Sequence, residues 1–321
     1  MIDQNLYITE EKYIETMKTK AEPYLDARRE SGFIETSDGK ELYYENYRAD
    51  EPKSSIVILH GVTESVSKYH ELAYYFLNAG ANVSLLEQRG HGRSYREVDN
   101  NMITHIDNFE RYVDDFTDFL LEKSPKDDLP RYLFAHSMGG GVGVMYMERY
   151  PRYFEKAVLS APMIAPERGR HLLVVSRAVT REFIIIGKSK DRFFGSGDGS
   201  EEEVFEDSCT TSEARFDYYN DMKETVPEFK NSALTYRWVN ESLNVTRKLL
   251  AKGRPEKIRT KLLLLQAERD TMVRGKEQEK FAARVPGAEL VKVKGAKHEI
   301  YRETDSILKP VLDRIFEFYF G

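Results

Sequence analysis

The apolar residues of this chain fall into short compact runs separated by longer stretches with helical spacing. Runs at 55–59 (Ser-Ile-Val-Ile-Leu), 82–86, 132–135, 156–161, 258–265 and 288–293 read as strands. Between them, 67–79, 105–123 and 138–150 read as helices, and a last helix ends near Phe320. In the second of these, Phe109, Tyr112, Val113, Phe116, Phe119 and Leu120 form one apolar face. Strands alternating with helices predict an α/β fold, a mostly parallel central sheet flanked by helices. Ahead of it, Tyr13, Met17, Ala21 and Leu25 recur every fourth residue, which predicts an amphipathic helix packed on the core. Residues 32–47 alternate around Asp38-Gly39 and predict a β-hairpin. The alternation breaks from 163 to 240, where apolar segments at 172–179 and 183–186, a glycine-rich stretch at 195–200, an acidic run at 201–203 and an aromatic segment containing Phe216, Tyr218, Tyr219 and Trp238 predict a helical cap. The expected division is an N-terminal helix (1–30), a core in two parts (31–162 and 241–321) and the cap insertion (163–240).

Composition narrows the class. A chain of 321 residues with 40% hydrophobic and 32% charged residues fits a soluble globular protein with a large core. A net charge of −6 with both signs interspersed gives no basic footprint for nucleic acid. The single cysteine, Cys209, rules out an internal disulfide framework and fits a reducing compartment. The first residues lack the basic start and apolar run of a signal peptide, and no stretch approaches the roughly 18 apolar residues of a membrane span, so a cytoplasmic location is expected.

The candidate chemistry sits at strand ends. The run 132–135 stops at His136-Ser137, and a helix follows from Met138; a serine on such a strand–turn–helix is the nucleophile elbow of α/β-hydrolases. Positions two before and two after the serine must be very small, and here they are Ala135 and Gly139, so G-x-S-x-G appears as A-x-S-x-G. The elbow places the Met138 amide at a helix N-terminus, where an oxyanion is favoured. The strand 55–59 empties into His60-Gly61-Val62, the position of the second oxyanion donor; Gly61 is expected to take a turn closed to other residues and leave the Val62 amide open to substrate. Serine, then an acid after a late strand, then a histidine after the last strand is the order of the hydrolase triad, which selects Ser137, Asp270 and His298, with Glu268 as the alternative acid. The other six histidines lie in turns, helix starts or the insertion, and His91 is read as architectural. Gly187-Lys188-Ser189 lacks the upstream glycine of a phosphate loop, the 195–200 stretch lacks a dinucleotide fingerprint, and His298-Glu299 lacks the second histidine of a zinc helix. No cofactor and no metal is expected.

From about residue 33 onward the chain resembles the monoacylglycerol lipase and bacterial lysophospholipase branch of the serine α/β-hydrolases, the serine aminopeptidase-like hydrolases. The likeness rests on His60-Gly-Val-Thr-Glu64 for H-G-x-x-E, on Arg89-Gly-His-Gly-Arg-Ser94 for R-G-H-G-x-S and on His136-Ser-Met-Gly-Gly140 for H-S-M-G-G. Thr235-Tyr-Arg-Trp-Val239 and Leu263-Leu-Leu-Gln-Ala267 are most similar to the bacterial lysophospholipases. The resemblance implies an α/β-hydrolase fold, Ser137, Asp270 and His298 as triad, Val62 and Met138 as oxyanion donors, and a cap at the insertion. Three positions depart from it: Ala135 for glycine, Glu87 for aspartate and Ala267 for glycine. The implied reaction is hydrolysis of a single-acyl-chain ester through an acyl-serine. Lysophospholipid and monoacylglycerol both remain compatible, as do a short-chain carboxylesterase, an acyltransferase and a binding protein on the same fold. The implied partners are a small-molecule acyl ester, a lipid, and a membrane surface met transiently through the cap.

Overall fold

The computed structural model describes residues 5–124, 128–167, 170–194, 196 and 203–321. Among the described residues eight strands form one sheet, in the order β1-β2-β4-β3-β6-β7-β9-β10. These are β1 (Arg29–Glu35), β2 (Glu41–Tyr47), β3 (Ser54–Leu59), β4 (Ala81–Leu86), β6 (Arg131–His136), β7 (Lys156–Ser160), β9 (Lys261–Ala267) and β10 (Glu289–Val293). β1 and β2 pair antiparallel around Asp38-Gly39, β2 meets β4 antiparallel, and every later pairing is parallel. The fold is that of the α/β-hydrolases. β3, β4, β6 and β9 are buried on both faces, which is why they read as continuous apolar runs rather than alternating ones.

The N-terminal segment coils from Glu10 to Asp26 and buries Tyr13, Met17, Ala21 and Leu25. A four-residue repeat drifts around an ordinary α-helix; a π-turn at Met17–Ala21 widens the coil and keeps the stripe on one face. The helix expected from 105 starts later, at Glu110. His105 is held instead by Thr235 Oγ1 at 2.9 Å, and Asn108 Oδ1 accepts the Glu110 amide at 3.0 Å. Just before it, a two-residue strand β5 (Ile103–Thr104) pairs in parallel with β8 (Ala233–Leu234).

Between β7 and β9 lie the helices Arg170–Ile185, Glu213–Thr225 and Tyr236–Leu249. The third crosses the expected end of the insertion at 240, because its face belongs to the core: Thr235 Oγ1 caps it through the Trp238 amide, and Trp238 Nε1 donates to Tyr112 at 3.2 Å. The glycine-rich stretch 195–200, apart from Ser196, and Glu201 and Glu202 of the acidic run lie outside the described residues. Arg215 pins the middle helix to the body, reaching both Glu71 oxygens, the Ile8 and Glu303 carbonyls and Asp305. Between Asp270 and the strand β10, a stretch given no element in the sequence analysis, a short helix runs from Gly275 to Ala282 and buries Gln278, Phe281 and Ala282. Among the described residues no helix is long and apolar enough to cross a membrane.

Candidate active site

β6 ends at His136 and the helix Ser137–Arg149 begins at the next residue, so the serine carries the whole reversal. Its φ is 49°, in the left-handed region that costs a non-glycine residue energy. The turn is held from outside by the Met163 amide, which donates to the Ser137 carbonyl at 2.8 Å. Gly139 is required for space: a Cβ there would lie 2.5 Å from the Leu59 carbonyl oxygen and 2.6 Å from that of His60. Ala135 is fully buried, and the Cβ that Gly143 lacks would meet it only at an ordinary 3.5 Å, whereas it would press on Leu133 Cδ2 at 2.9 Å.

Ser137 Oγ is 2.9 Å from His298 Nε2, and His298 Nδ1 is 2.8 Å from Asp270 Oδ2. The other Asp270 oxygen accepts the Met272 and Val273 amides at 2.8 and 3.0 Å. Burial works to raise the Asp270 carboxyl, but the hydrogen bond and charge of His298 outweigh it and lower it. Glu268 is exposed and turned away, accepting the Gly295 amide at 2.8 Å. The imidazole is therefore oriented by Asp270, and each of its nitrogens has a partner.

The turn after β3 differs from expectation in one respect. The left-handed residue is Thr63, with φ 61°, and not Gly61. Gly61 is needed because a Cβ would sit 2.9 Å from Glu64 Oε2 and 3.0 Å from the His136 ring. Its amide is consumed by Glu64 Oε2 at 2.6 Å, whereas the Val62 amide has no acceptor among the described residues. The Met138 amide lies in the first turn of its helix and has no intrahelical acceptor. Val62 and Ser137 border the same cavity of about 340 Å³.

A charged network that the sequence did not announce surrounds this cavity. Glu64 accepts the Tyr69 and Tyr301 hydroxyls at 2.5 and 3.0 Å and pairs with Lys68 at 2.9 Å. Lys68 reaches Glu299 at 2.5 Å, and Arg302 holds the other Glu299 oxygen at 2.6 Å. Lys68 thus ties the loop bearing Val62 to the residue that follows His298. Burial would raise the Glu64 carboxyl, but Lys68, and after it His136, hold it well below the usual range. The helical spacing of Glu64 and Lys68 was the one legible hint of this. His136 is pushed down to about 4 by burial, against the pull of Glu64, and its Nδ1 donates to the Ser160 carbonyl at 3.0 Å. His91 donates from Nδ1 to the carbonyls of Gln88 and Arg89, and His60 accepts the Gln88 amide. None of these three is placed to serve Ser137.

The cavity is mixed rather than an apolar tunnel. Val204, Phe216, Tyr219 and Met272 line it together with Glu203, Asp207 and Lys223, and Lys223 pairs with Glu203 at 2.5 Å. Of the departures noted above, Glu87 is wholly buried, accepts the Arg93 amide at 2.6 Å and fills the space beside Gly92; burial pushes its carboxyl up to about 7, against Arg93. Ala267 sits at the buried end of β9, paired with Val293.

The chain is 30% identical to the probable lysophospholipase L2 of Haemophilus influenzae, over 84% of its own length and 85% of that protein. It is 32% identical to the monoacylglycerol lipase of Mycolicibacterium smegmatis over 44% and 49% of the two chains. In fold it is similar to a soluble variant of the Saccharomyces cerevisiae monoglyceride lipase, with a TM-score of 0.71 over 90% of this chain and 95% of that one at 17% identity. The family model described as serine aminopeptidase, S33, matches residues 50–305, a span that takes in the serine elbow, the acid and the histidine, and this chain belongs to that family.

Proposed function

We propose that this protein is a serine hydrolase that cleaves the single acyl ester of a lysophospholipid. The observation that carries the reading is the continuous hydrogen-bond chain from Ser137 through His298 to Asp270 at the wall of the cavity. Ser137 Oγ attacks the ester carbonyl while His298 Nε2 takes its proton; the oxyanion is stabilised by the amides of Val62 and Met138. His298 then protonates the leaving alcohol, and an acyl-serine remains. Water, deprotonated by the same nitrogen, attacks the acyl-serine and releases the fatty acid. Asp270 holds the imidazole tautomer and stabilises its charged form throughout.

The charged lining supports a zwitterionic head group over an uncharged glycerol. Lys223 offers a cation to a phosphodiester, and Glu203 and Asp207 offer carboxylates to an ammonium. The relatives named as lysophospholipases align over most of the chain, which supports the same choice. As part of this reading, residues 163 to about 235 form a cap over the site, the cap meets a lipid surface, and the protein is cytoplasmic, in keeping with its lone, half-buried cysteine.

The test is hydrolysis of lysophosphatidylethanolamine, a monoacylglycerol of the same chain length and graded p-nitrophenyl esters by wild type and Ser137→Ala. The expected result is preference for the lysophospholipid with all activity lost in the variant. Activity surviving in Ser137→Ala removes the proposed nucleophile; preference for the monoacylglycerol or for short esters removes the proposed substrate.

A further inference from the structure

The helices Arg170–Ile185 and Tyr236–Leu249 pack against each other, and an open groove of about 750 Å³ runs along this pair. Arg181, Arg237 and Arg247 line it with Asn108, Asn244 and Lys248. For a chain of net charge −6 this is a local reversal of sign. Elsewhere on the surface Arg149 is matched with Glu110 and Asp114, Arg284 with Glu256 and Arg314 with Glu289, while Arg48, Arg152, Arg259 and Arg269 are exposed without an ion pair among the described residues. Here four arginines without a carboxylate in ion-pair distance, Arg177, Arg181, Arg237 and Arg247, stand together among the described residues, although Asp107 and Glu241 also line the groove. Arg177 shows the crowding: its Nε is buried without a partner, and burial and then Arg247 and Arg181 depress the guanidinium.

The same face is apolar at one end. Arg177, Arg181 and Ile185 follow one another at four-residue spacing, which aligns them on one stripe of their helix. Ile185 is 83% exposed, Ile186 is 59% and Phe194 is 66%, and Lys188 and Lys190 are exposed beside them. Unpaired cations next to solvent-facing isoleucines match a surface that is negatively charged outside and hydrocarbon within. A nucleic acid would answer the arginines but leave the isoleucines in water.

We propose that this face docks the protein on anionic phospholipid bilayers, the arginine groove taking the phosphate head groups and Ile185, Ile186 and Phe194 entering the interface. The inference rests on the lipid-ester reading of the active site only for its biological purpose; binding itself is a property of the groove. Each cation contributes roughly a fivefold factor to partitioning, so reversing three of them is expected to weaken binding by more than about a hundredfold.

The experiment uses the full chain carrying Ser137→Ala, so that binding is read without turnover. It is sedimented with phosphatidylcholine vesicles, with and without phosphatidylglycerol. Binding to the phosphatidylglycerol vesicles is expected, weakened by salt, reduced by Ile185→Ser with Ile186→Ser, and lost in Arg181→Glu with Arg237→Glu and Arg247→Glu. The same triple variant with Ser137 intact is expected to hydrolyse a soluble p-nitrophenyl ester as wild type does, which shows that the fold survives. Equal binding to both vesicle types, or binding unaffected by the triple variant, overturns the proposal. So does displacement by inorganic phosphate at constant ionic strength, which marks a free-phosphate site, and so does retention of an RNA oligomer in place of vesicles. Should wild type hydrolyse no ester while the vesicles still bind, the active-site reading fails and the docking surface stands.

Discussion

Replacing Gly139 by alanine tests the elbow more sharply than deleting the serine does, because it adds one methyl group and removes no chemistry. The added Cβ would meet the Leu59 carbonyl oxygen at 2.5 Å, its carbon at 2.7 Å and the His60 oxygen at 2.6 Å, where ordinary contact begins at 3.4 Å. All three are backbone atoms of the strand end beneath the elbow, so no side chain can swing aside. The helix Ser137–Arg149 and the end of β3 must therefore separate by about 1 Å, a misplacement on the order of 10²-fold in rate when it falls between nucleophile and oxyanion donors. It falls there because His60 is two residues before Val62. The overpacking itself costs about 1–3 kcal/mol, which for a domain of this size lowers the unfolding midpoint by about 2–6 °C. The assay pairs kcat on a p-nitrophenyl ester with thermal unfolding followed by circular dichroism. A Gly139→Ala protein with unchanged kcat and unchanged midpoint would refute the geometric argument for this glycine.

Three further outcomes are expected. Asp270→Asn should lower kcat by about 10⁴-fold, as expected when the imidazole is left in the wrong tautomer, whereas Glu268→Gln should leave kcat intact; the reverse result in steady-state kinetics would assign the acid to Glu268. Removing Lys68 leaves Glu64 and Glu299 buried without their shared cation, so Lys68→Met should cost about 3–5 kcal/mol in chemical denaturation, and Lys68→Arg should recover most of it. His70 lies between Glu22 and Glu45, 3.0 and 2.9 Å away; burial opposes its charge, but the two carboxylates push it up to about 10, and Glu45 is drawn down to about 2. The share of stability from His70 is complete below its ordinary 6.5 and fades as pH rises toward 10, and that from Glu45 is complete above 4.5 and fades as pH falls toward 2. The stability gap between wild type and His70→Gln should therefore be widest near about pH 5–6 and shrink in alkali; urea midpoints that show the gap widening above neutrality contradict this.

The sequence by itself determined the parts that depend on local order along the chain. Apolar runs long enough to be buried on both faces marked the parallel strands, the Asp38-Gly39 turn marked the hairpin, and the order of Ser137, Asp270 and His298 at strand ends marked the candidate residues. The four-residue repeat from Tyr13 to Leu25 also named the buried face, though the repeat could not say that a π-turn keeps it in register. What only tertiary structure decided are relations between segments distant in sequence. Whether Asp270 or Glu268 meets His298 depends on which way each side chain leaves the end of β9, and both lie on the same short loop. In the turn after β3, Gly61 is crowded by Glu64 of its own loop and by His136 at the end of β6, and the left-handed residue is Thr63. Lys68 is an ordinary surface residue in the sequence and becomes a buried bridge only when the loop after β10 brings Glu299 against it. Likewise, the helix Tyr236–Leu249 has the spacing of a cap helix, and its place on the core follows from Trp238 meeting Tyr112, a contact across 126 residues that no local pattern records.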